Sequence, residues 1–163
     1  RRRHLDAVWV NLGKFNDVQI TFVSPSELKI GDDIKAYLKR HKVSFTETEE
    51  FETVMREADV VYQTRVQKER FKSEEEYLKF KGRYIITRPL ADSMKDGAII
   101  IHPLPRVGEI MPEVDDSPHA VYFKQVRYGL LVRMALLKTM LSGRAGKPRR
   151  DTLIARVKNT LLG

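Results

Sequence analysis

The segment "HPLPR" (102–106) is the first candidate for chemistry, because two prolines bracket a leucine and an arginine follows. Proline has no backbone N–H, so Pro103 and Pro105 each remove a hydrogen-bond donor. Carbonyl oxygens in this segment are left without ladder partners and need another donor. The ordinary alternative is a proline-rich turn that closes a buried strand. The segment therefore supports two hypotheses, a binding loop and a plain turn.

The segment "TRVQKER" (64–70) is the second candidate. Arg65 and Gln67 are two residues apart, so on an extended segment their side chains point to the same side. An arginine guanidinium matches a carboxylate through two parallel N–H donors, which lysine cannot do. The alternative is that Arg65 caps the end of a strand and pairs with Glu69.

Alternating strand and helix patterns position both segments. Strand patterns cover 18–24, 43–49, 59–65 and 98–101, and helical patterns cover 7–15, 26–42, 51–58, 73–82 and 126–141. This alternation predicts parallel βαβ units in a Rossmann-like α/β fold, an open parallel sheet with helices on both faces. The long apolar helix 126–141 is expected to cover one face. Ligands of such sheets bind beyond the carboxyl ends of the strands, where both candidate segments begin.

Composition limits the class of protein. The 163 residues are 42% hydrophobic and 32% charged, which predicts one soluble domain without a membrane span. The chain has no cysteine, which excludes disulfides and a thiol nucleophile and favours a cytoplasmic setting. The net charge of +8 comes from residues 1–3 and 144–163, so the body is neutral and a nucleic-acid partner is not expected. His4, His41 and His119 lack metal-site spacing with acids.

Three blocks together resemble one family. "TRVQKER" (64–70), "HPLPRVGEI" (102–110) and "YFKQVRYGLLVRMALL" (122–137) are similar in order and spacing to the second half of aspartate carbamoyltransferases. The ornithine-specific relatives carry a cysteine in place of part of "HPLP" and an ornithine-binding signature, both absent here. The resemblance therefore favours the aspartate branch. It predicts residues 1–143 as an aspartate-binding domain and 144–163 as a basic tail, whose Leu153, Ile154, Val157 and Leu161 could form one helical stripe.

The resemblance implies a reaction. The family transfers a carbamoyl group from carbamoyl phosphate to the α-amine of L-aspartate, without a cofactor, in homotrimers that share sites between chains. By resemblance, Arg65 and Gln67 bind the aspartate carboxylates. Counting back from "GKF" (13–15) adds Arg3, although an alignment on His4 would select Arg1 instead.

The resemblance also gives the "HPLPR" segment a role. The carbamoyl NH₂ is a double donor, and in the family the backbone carbonyls matching Pro103 and Leu104 accept from it. A cis bond is expected between Leu104 and Pro105. Arg106 is expected to order this loop through a carboxylate partner.

The remaining family assignments concern charge pairs and a histidine. Glu69 and Arg70 are expected in an interdomain ion-pair network. His102 is interpreted as structural, since the family's catalytic histidine belongs to the other half.

The family's phosphate-binding block is missing from this sequence. Phosphate is held by helix N-termini and arginines, and a tetrahedral intermediate needs donors from the same region. The sequence therefore predicts a chain that is inactive alone. A non-catalytic amino-acid-binding or interaction module with the same fold is the alternative, and an ornithine-type domain is a second one.

Overall fold

The computed structural model describes residues 17–66, 71 and 73–142. The chain divides at Tyr122 into two compact units. The predicted boundary at residue 143 stays a prediction. Several expectations lie outside the described residues, namely the helix 7–15, Arg3, Gln67, Glu69, Arg70 and the tail 144–163.

Strands and helices alternate along the first unit. In chain order the elements are β1 Gln19–Val23, a 3₁₀ turn Ser26–Leu28, α1 Asp32–Arg40, β2 Ser44–Thr48, α2 Phe51–Glu57, β3 Val60–Tyr62, α3 Glu74–Phe80, α4 Arg88–Asp92, β4 Ile99–Ile101, a 3₁₀ turn Pro112–Asp116 and α5 Tyr122–Leu141. The four predicted strands are present. The short helix α4 and the second 3₁₀ turn were not expected, because each is too short for a helical apolar period.

The strands pair in parallel, as the alternation predicted. β1 lies beside β2, and β3 lies beside β4. The prediction of an α/β fold with parallel strands is confirmed. Within the described ranges, however, strand ladders form two separate pairs instead of one continuous sheet. The pairs have separate cores. β3 and β4 offer only three ladder positions each.

The first pair is stabilised by α1. Ile34 and Leu38 lie four residues apart on one face of this helix and pack with Ile20 and Phe22 of β1. Acidic residues occupy the first turn of α1 and basic residues its last turn, which complements the helix dipole. The apolar face and the charged ends of α1 therefore explain why this half of the unit folds as it does.

The second pair is built around β4. Ile100 is completely buried, and its N–H donates to the carbonyl of His119 at 2.7 Å while Val121 N–H donates back to Ile100 at 3.1 Å. The 119–121 segment thus covers the edge of β4 that β3 does not use. The core around Ile100 includes Met55, Ile86, Ala91, Met94, Ala98, Ile110, Val114 and Tyr122.

The long helix α5 begins at Tyr122, four residues earlier than the sequence pattern predicted. Tyr122 is buried in the first unit. From Phe123 onward the large apolar side chains of α5 are exposed. The expectation that this helix covers one face of the sheet stays a prediction. None of the described helices is long and apolar enough to cross a membrane.

Candidate functional site

The two candidate segments start at the same edge of one strand pair. The register aligns Tyr62 with Ile101, and Gln63 N–H continues the ladder to the Ile101 carbonyl at 3.0 Å. Arg65 follows two residues later and is exposed, while His102 follows β4 directly. Because the strands are parallel, both segments leave at the carboxyl edge, where α/β folds bind ligands.

Gln63 secures the end of β3. Its side chain is only 8% exposed, and Nε2 donates to the Tyr84 carbonyl at 3.0 Å. A buried amide that is hydrogen-bonded in this way is restricted in position. The backbone that leads to Arg65 therefore starts from an anchored residue, which the sequence analysis did not single out.

The loop after β4 has an unusual backbone. The Leu104–Pro105 bond is cis, and Leu104 has a φ of +50° in the left-handed region. That region costs roughly 1–2 kcal/mol for residues other than glycine. The Leu104 N–H donates to Nδ1 of His102 at 2.8 Å, which helps to offset this cost.

His102 and Glu109 connect the two ends of this loop. The His102 side chain is 1% exposed, and its Nε2 lies 2.7 Å from Oε1 of Glu109. The other oxygen, Oε2, accepts the Val107 N–H at 2.9 Å. Burial lowers the pKa of His102 from its ordinary 6.5, although the Glu109 carboxylate opposes the shift. Burial therefore favours the neutral imidazole.

Arg106 binds a carboxylate bidentately. Its Nη2 donates to Oδ2 of Asp115 at 2.6 Å, and its Nη1 donates to Oδ1 of the same group. Tyr122 donates its hydroxyl to the same carboxylate, and Nη1 of Arg106 also donates to that hydroxyl at 3.2 Å. The Arg106 hydrogen bond is the main reason that the pKa of Asp115 is lowered, and burial is the main reason that the pKa of Tyr122 is raised.

The predicted site residues divide into three groups. Pro103, Leu104, Pro105 and Arg106 lie together in the loop after β4, and Arg65 lies beyond the neighbouring strand. Gln67, Glu69, Arg70 and Arg3 are outside the described ranges. The assignment of ligand contacts to any of them stays a prediction.

Sequence reasoning missed the partners that hold this loop. Asp115, which pairs with Arg106, was not singled out from the sequence. Glu109 and Tyr122 were not considered for the site. The signal for them in the sequence is that they lie in the blocks that carry the family resemblance. Glu109 is seven residues from His102 and Tyr122 is sixteen from Arg106, and neither spacing indicates contact.

A cavity of the first unit is lined by other residues than those of these loops. It has a volume of about 380 Å³ and is lined by residues of α2 and α4 and by the segment between α3 and α4. Arg83, on its wall, donates to Glu49 at 2.6 Å, and Arg56 lies 3.5 Å from Glu52. Its cations are therefore already paired with acids. Over the ranges that the structure describes, no group of three His, Asp or Glu side chains is placed to hold a metal.

Comparison with known proteins agrees with the geometry. Residues 7–140 match the family model "Aspartate/ornithine carbamoyltransferase, Asp/Orn binding domain". Aspartate carbamoyltransferase 2 (chloroplastic) of Pisum sativum is 48% identical over 81% of this chain and 34% of its own length. The aspartate carbamoyltransferase catalytic subunit of Cenarchaeum symbiosum is 50% identical over 80% of this chain and 42% of its own length.

Solved structures give the same result. The catalytic subunit of M. jannaschii aspartate transcarbamoylase superposes with a TM-score of 0.79 at 44% identity, over 86% of this chain and 46% of that one. An aspartate transcarbamoylase of Trypanosoma cruzi in complex with aspartate and phosphate gives 0.61 at 34% identity, over 73% and 37%. The chain spans less than half the length of these relatives. On its sequence and its fold, the chain belongs to the aspartate/ornithine carbamoyltransferase family, in which it matches the amino-acid-binding domain.

Proposed function

We propose that this chain is the aspartate-binding half of an aspartate carbamoyltransferase. The complete enzyme would transfer the carbamoyl group of carbamoyl phosphate to the α-amine of L-aspartate and release N-carbamoyl-L-aspartate and phosphate, a step in pyrimidine synthesis. The observation that carries the proposal is the pairing of β3 with β4, which starts the Arg65 segment and the 102–106 loop at one sheet edge. Relatives at 42–50% identity are named for the same activity.

The chemistry assigns a task to each loop. L-Aspartate carries two carboxylates, and Arg65, with Gln67 and Arg3, would bind them through charge-assisted hydrogen bonds. The α-amine would attack the carbamoyl carbon, so that a C–N bond forms, the C–O bond to phosphate breaks and the amine loses a proton. The carbonyls of Pro103 and Leu104 would accept from the carbamoyl NH₂ and orient it for attack.

A second half is needed for catalysis. Phosphate and the developing oxyanion require donors such as a helix N-terminus and arginines, which we assign to a carbamoyl-phosphate domain in the same protein or another chain. The exposed apolar side chains of α5 support such a covering partner, since large apolar patches mark interaction sites. We infer a homotrimer for the complete enzyme. A cytoplasmic setting stays a prediction, because several relatives are named as chloroplastic.

The first test is calorimetric titration of the purified chain with L-aspartate and with succinate, which keeps the two carboxylates but lacks the amine. We expect binding at about millimolar affinity for each ligand. Arg65→Ala should abolish it, because a bidentate arginine cannot be replaced by solvent. The matched control is Arg56→Ala. Arg56 lies on α2, which precedes β3, and it is exposed and paired with Glu52.

Equal loss of heat in both arginine variants would contradict a specific pocket at Arg65. No heat from folded wild-type chain would contradict an aspartate site that forms without the second half. Addition of a separate carbamoyl-phosphate domain, followed by an assay for N-carbamoyl-L-aspartate, then tests the catalytic part of the proposal.

Two other functions are distinguished by the same titration. An ornithine-type domain would bind L-ornithine and not succinate, and the family model covers both amino acids. A non-catalytic amino-acid-binding module would bind aspartate yet stay inactive with every complementing half.

A further inference from the structure

The His102 ring forms hydrogen bonds that determine its protonation state. A backbone N–H can only donate, so Nδ1 of His102, 2.8 Å from the Leu104 nitrogen, must be an unprotonated acceptor. Nε2 faces the Glu109 carboxylate at 2.7 Å and therefore carries the proton. The neutral Nε2–H tautomer is assigned from these two partners.

The opposite tautomer occurs at the other buried histidine of the described region. Nδ1 of His119 lies 2.7 Å from the Ala98 carbonyl, which can only accept, so His119 carries a proton on Nδ1. The two buried rings thus differ in whether Nδ1 carries a proton. His119 serves as an internal reference for His102.

The bond to Leu104 also determines where a carbonyl points. The Pro103–Leu104 peptide is trans, because the cis bond of this loop is the next one. In a trans peptide the N–H and C=O groups point in opposite directions within one plane. The His102 ring is buried and accepts the Leu104 N–H, so the Pro103 carbonyl points away from that ring.

We propose that His102 and Glu109 are positioning residues: the neutral Nε2–H ring, held by Glu109, sets the Pro103–Leu104 peptide plane and so aims the Pro103 carbonyl at the carbamoyl NH₂. The role in ligand binding rests on the proposed function. The hydrogen-bond lock itself does not, because it follows from distances within the chain.

Two charged side chains act on the His102 ring. Glu109 favours its protonation and Arg106 opposes it, while burial favours the neutral ring. A second proton would occupy Nδ1 and face the Leu104 N–H, donor against donor. Acid therefore breaks the bond that holds the peptide plane, and the orientation of the Pro103 carbonyl is lost at low pH.

The lock is tested first by NMR on the full ¹⁵N-labelled chain. We expect a through-hydrogen-bond ¹⁵N–¹⁵N coupling between the Leu104 amide and Nδ1 of His102, and a proton on Nδ1 of His119. The Leu104 coupling should vanish as the pH falls and His102 charges. Its absence at neutral pH, or a proton on Nδ1 of His102, would overturn the proposal without any measurement of activity.

Two substitutions of His102 test its hydrogen bonds to Leu104 and to Glu109 one at a time. They are made in the active enzyme that contains this chain. His102→Asn keeps an acceptor near Nδ1 and loses the donor to Glu109, whereas His102→Gln keeps a donor near Nε2 and loses the acceptor for Leu104. We expect His102→Gln to raise KM for carbamoyl phosphate about tenfold and His102→Asn to raise it less, about threefold. Neither should change KM for aspartate as much.

Glu109→Gln provides a third variant. An amide has one acceptor oxygen, but Val107 N–H and His102 Nε2–H both donate to Glu109, so one donor loses its acceptor. The Leu104 coupling should weaken. Equal KM values in the two His102 variants would overturn the positioning role. A wild-type enzyme that transfers no carbamoyl group, but shows the coupling, would overturn the proposed function and leave the lock as a structural device.

Discussion

The loop from His102 to Glu109 and the helix α5 differ in how their groups are satisfied. The loop gives its buried polar groups hydrogen-bond partners, whereas α5 exposes its large apolar side chains. In the loop, the left-handed Leu104 and the buried His102 ring have hydrogen-bond partners within the same eight residues. In α5, large apolar side chains from Phe123 to Leu141 are 42–86% exposed. The loop satisfies its own polar groups, whereas α5 presents exposed apolar side chains.

This difference separates what the chain can do alone from what needs a partner. Buried polar groups require local hydrogen bonds, and the loop supplies them. Exposed apolar surface gains free energy when it is covered, at roughly 25 cal/mol per Å². We therefore expect the loop to keep its geometry in the isolated chain, and α5 to change its environment when the second half binds.

The largest expected effect compares two leucines. Leu38→Ala should lower the free energy of unfolding by about 3 kcal/mol, because its side chain is fully buried and a cavity is left. Leu137→Ala should change it by less than about 0.5 kcal/mol, because this side chain on α5 is 58% exposed. Urea unfolding followed by circular dichroism measures both.

A large loss in Leu137→Ala would break the comparison, since α5 would then be covered in the isolated chain. Sedimentation of the same sample would show whether a second copy provides the cover. If the carbamoyl-phosphate half covers α5, Leu137→Ala should weaken the binding of that half, although it changes the stability of the isolated chain little.

The next effect concerns the ion pair that holds the loop. Asp115→Asn should lower the free energy of unfolding by about 2 kcal/mol, because Arg106 and Tyr122 both donate to this carboxylate. Asp116→Asn is the matched control. Asp116 is the exposed neighbour, and its change should stay within about 0.5 kcal/mol. Equal effects at both positions would show that net charge, not the bidentate pair, is measured.

The pH dependence of stability gives a smaller effect, since one proton is involved. The pKa of folded His102 lies below its ordinary 6.5, so the unfolded chain binds more protons as the pH falls below that value. The contribution of His102 is therefore complete above pH 6.5 and is lost as the pH falls through the lowered pKa. Asp115 has a lowered pKa from an ordinary 3.8, so its contribution is lost at a lower pH.

Urea unfolding across this range should show a loss of stability that His102→Asn removes. A wild-type chain with the same pH slope as His102→Asn would contradict the neutral assignment of the ring.

The smallest effect is expected at a surface ion pair. Lys95→Ala should change the free energy of unfolding by about 0–0.5 kcal/mol, because Lys95 and Asp59 are 3.4 Å apart and largely exposed. Added salt should reduce even that difference. A loss comparable to that of Asp115→Asn would remove the distinction between a solvated pair and the bidentate pair of the loop.

Much of this protein was predictable from local patterns. Alternating strand and helix signals predicted parallel strands, and the position of "HPLPR" and "TRVQKER" after strands predicted a site at the carboxyl ends. Both follow from periods of two and 3.6 residues, which act over a few neighbours. The resemblance to the family, carried by three blocks, is confirmed by the match over residues 7–140.

The sequence by itself thus determined the fold class, the strand order along the chain and the two segments that follow β3 and β4. The tertiary structure decided which carboxylate meets Arg106, which one meets His102, and that the strands pair as two ladders. Local periodicity cannot give these results, because long-range pairs depend on how separate elements meet in space, and apolar composition alone does not identify the surface that covers a helix.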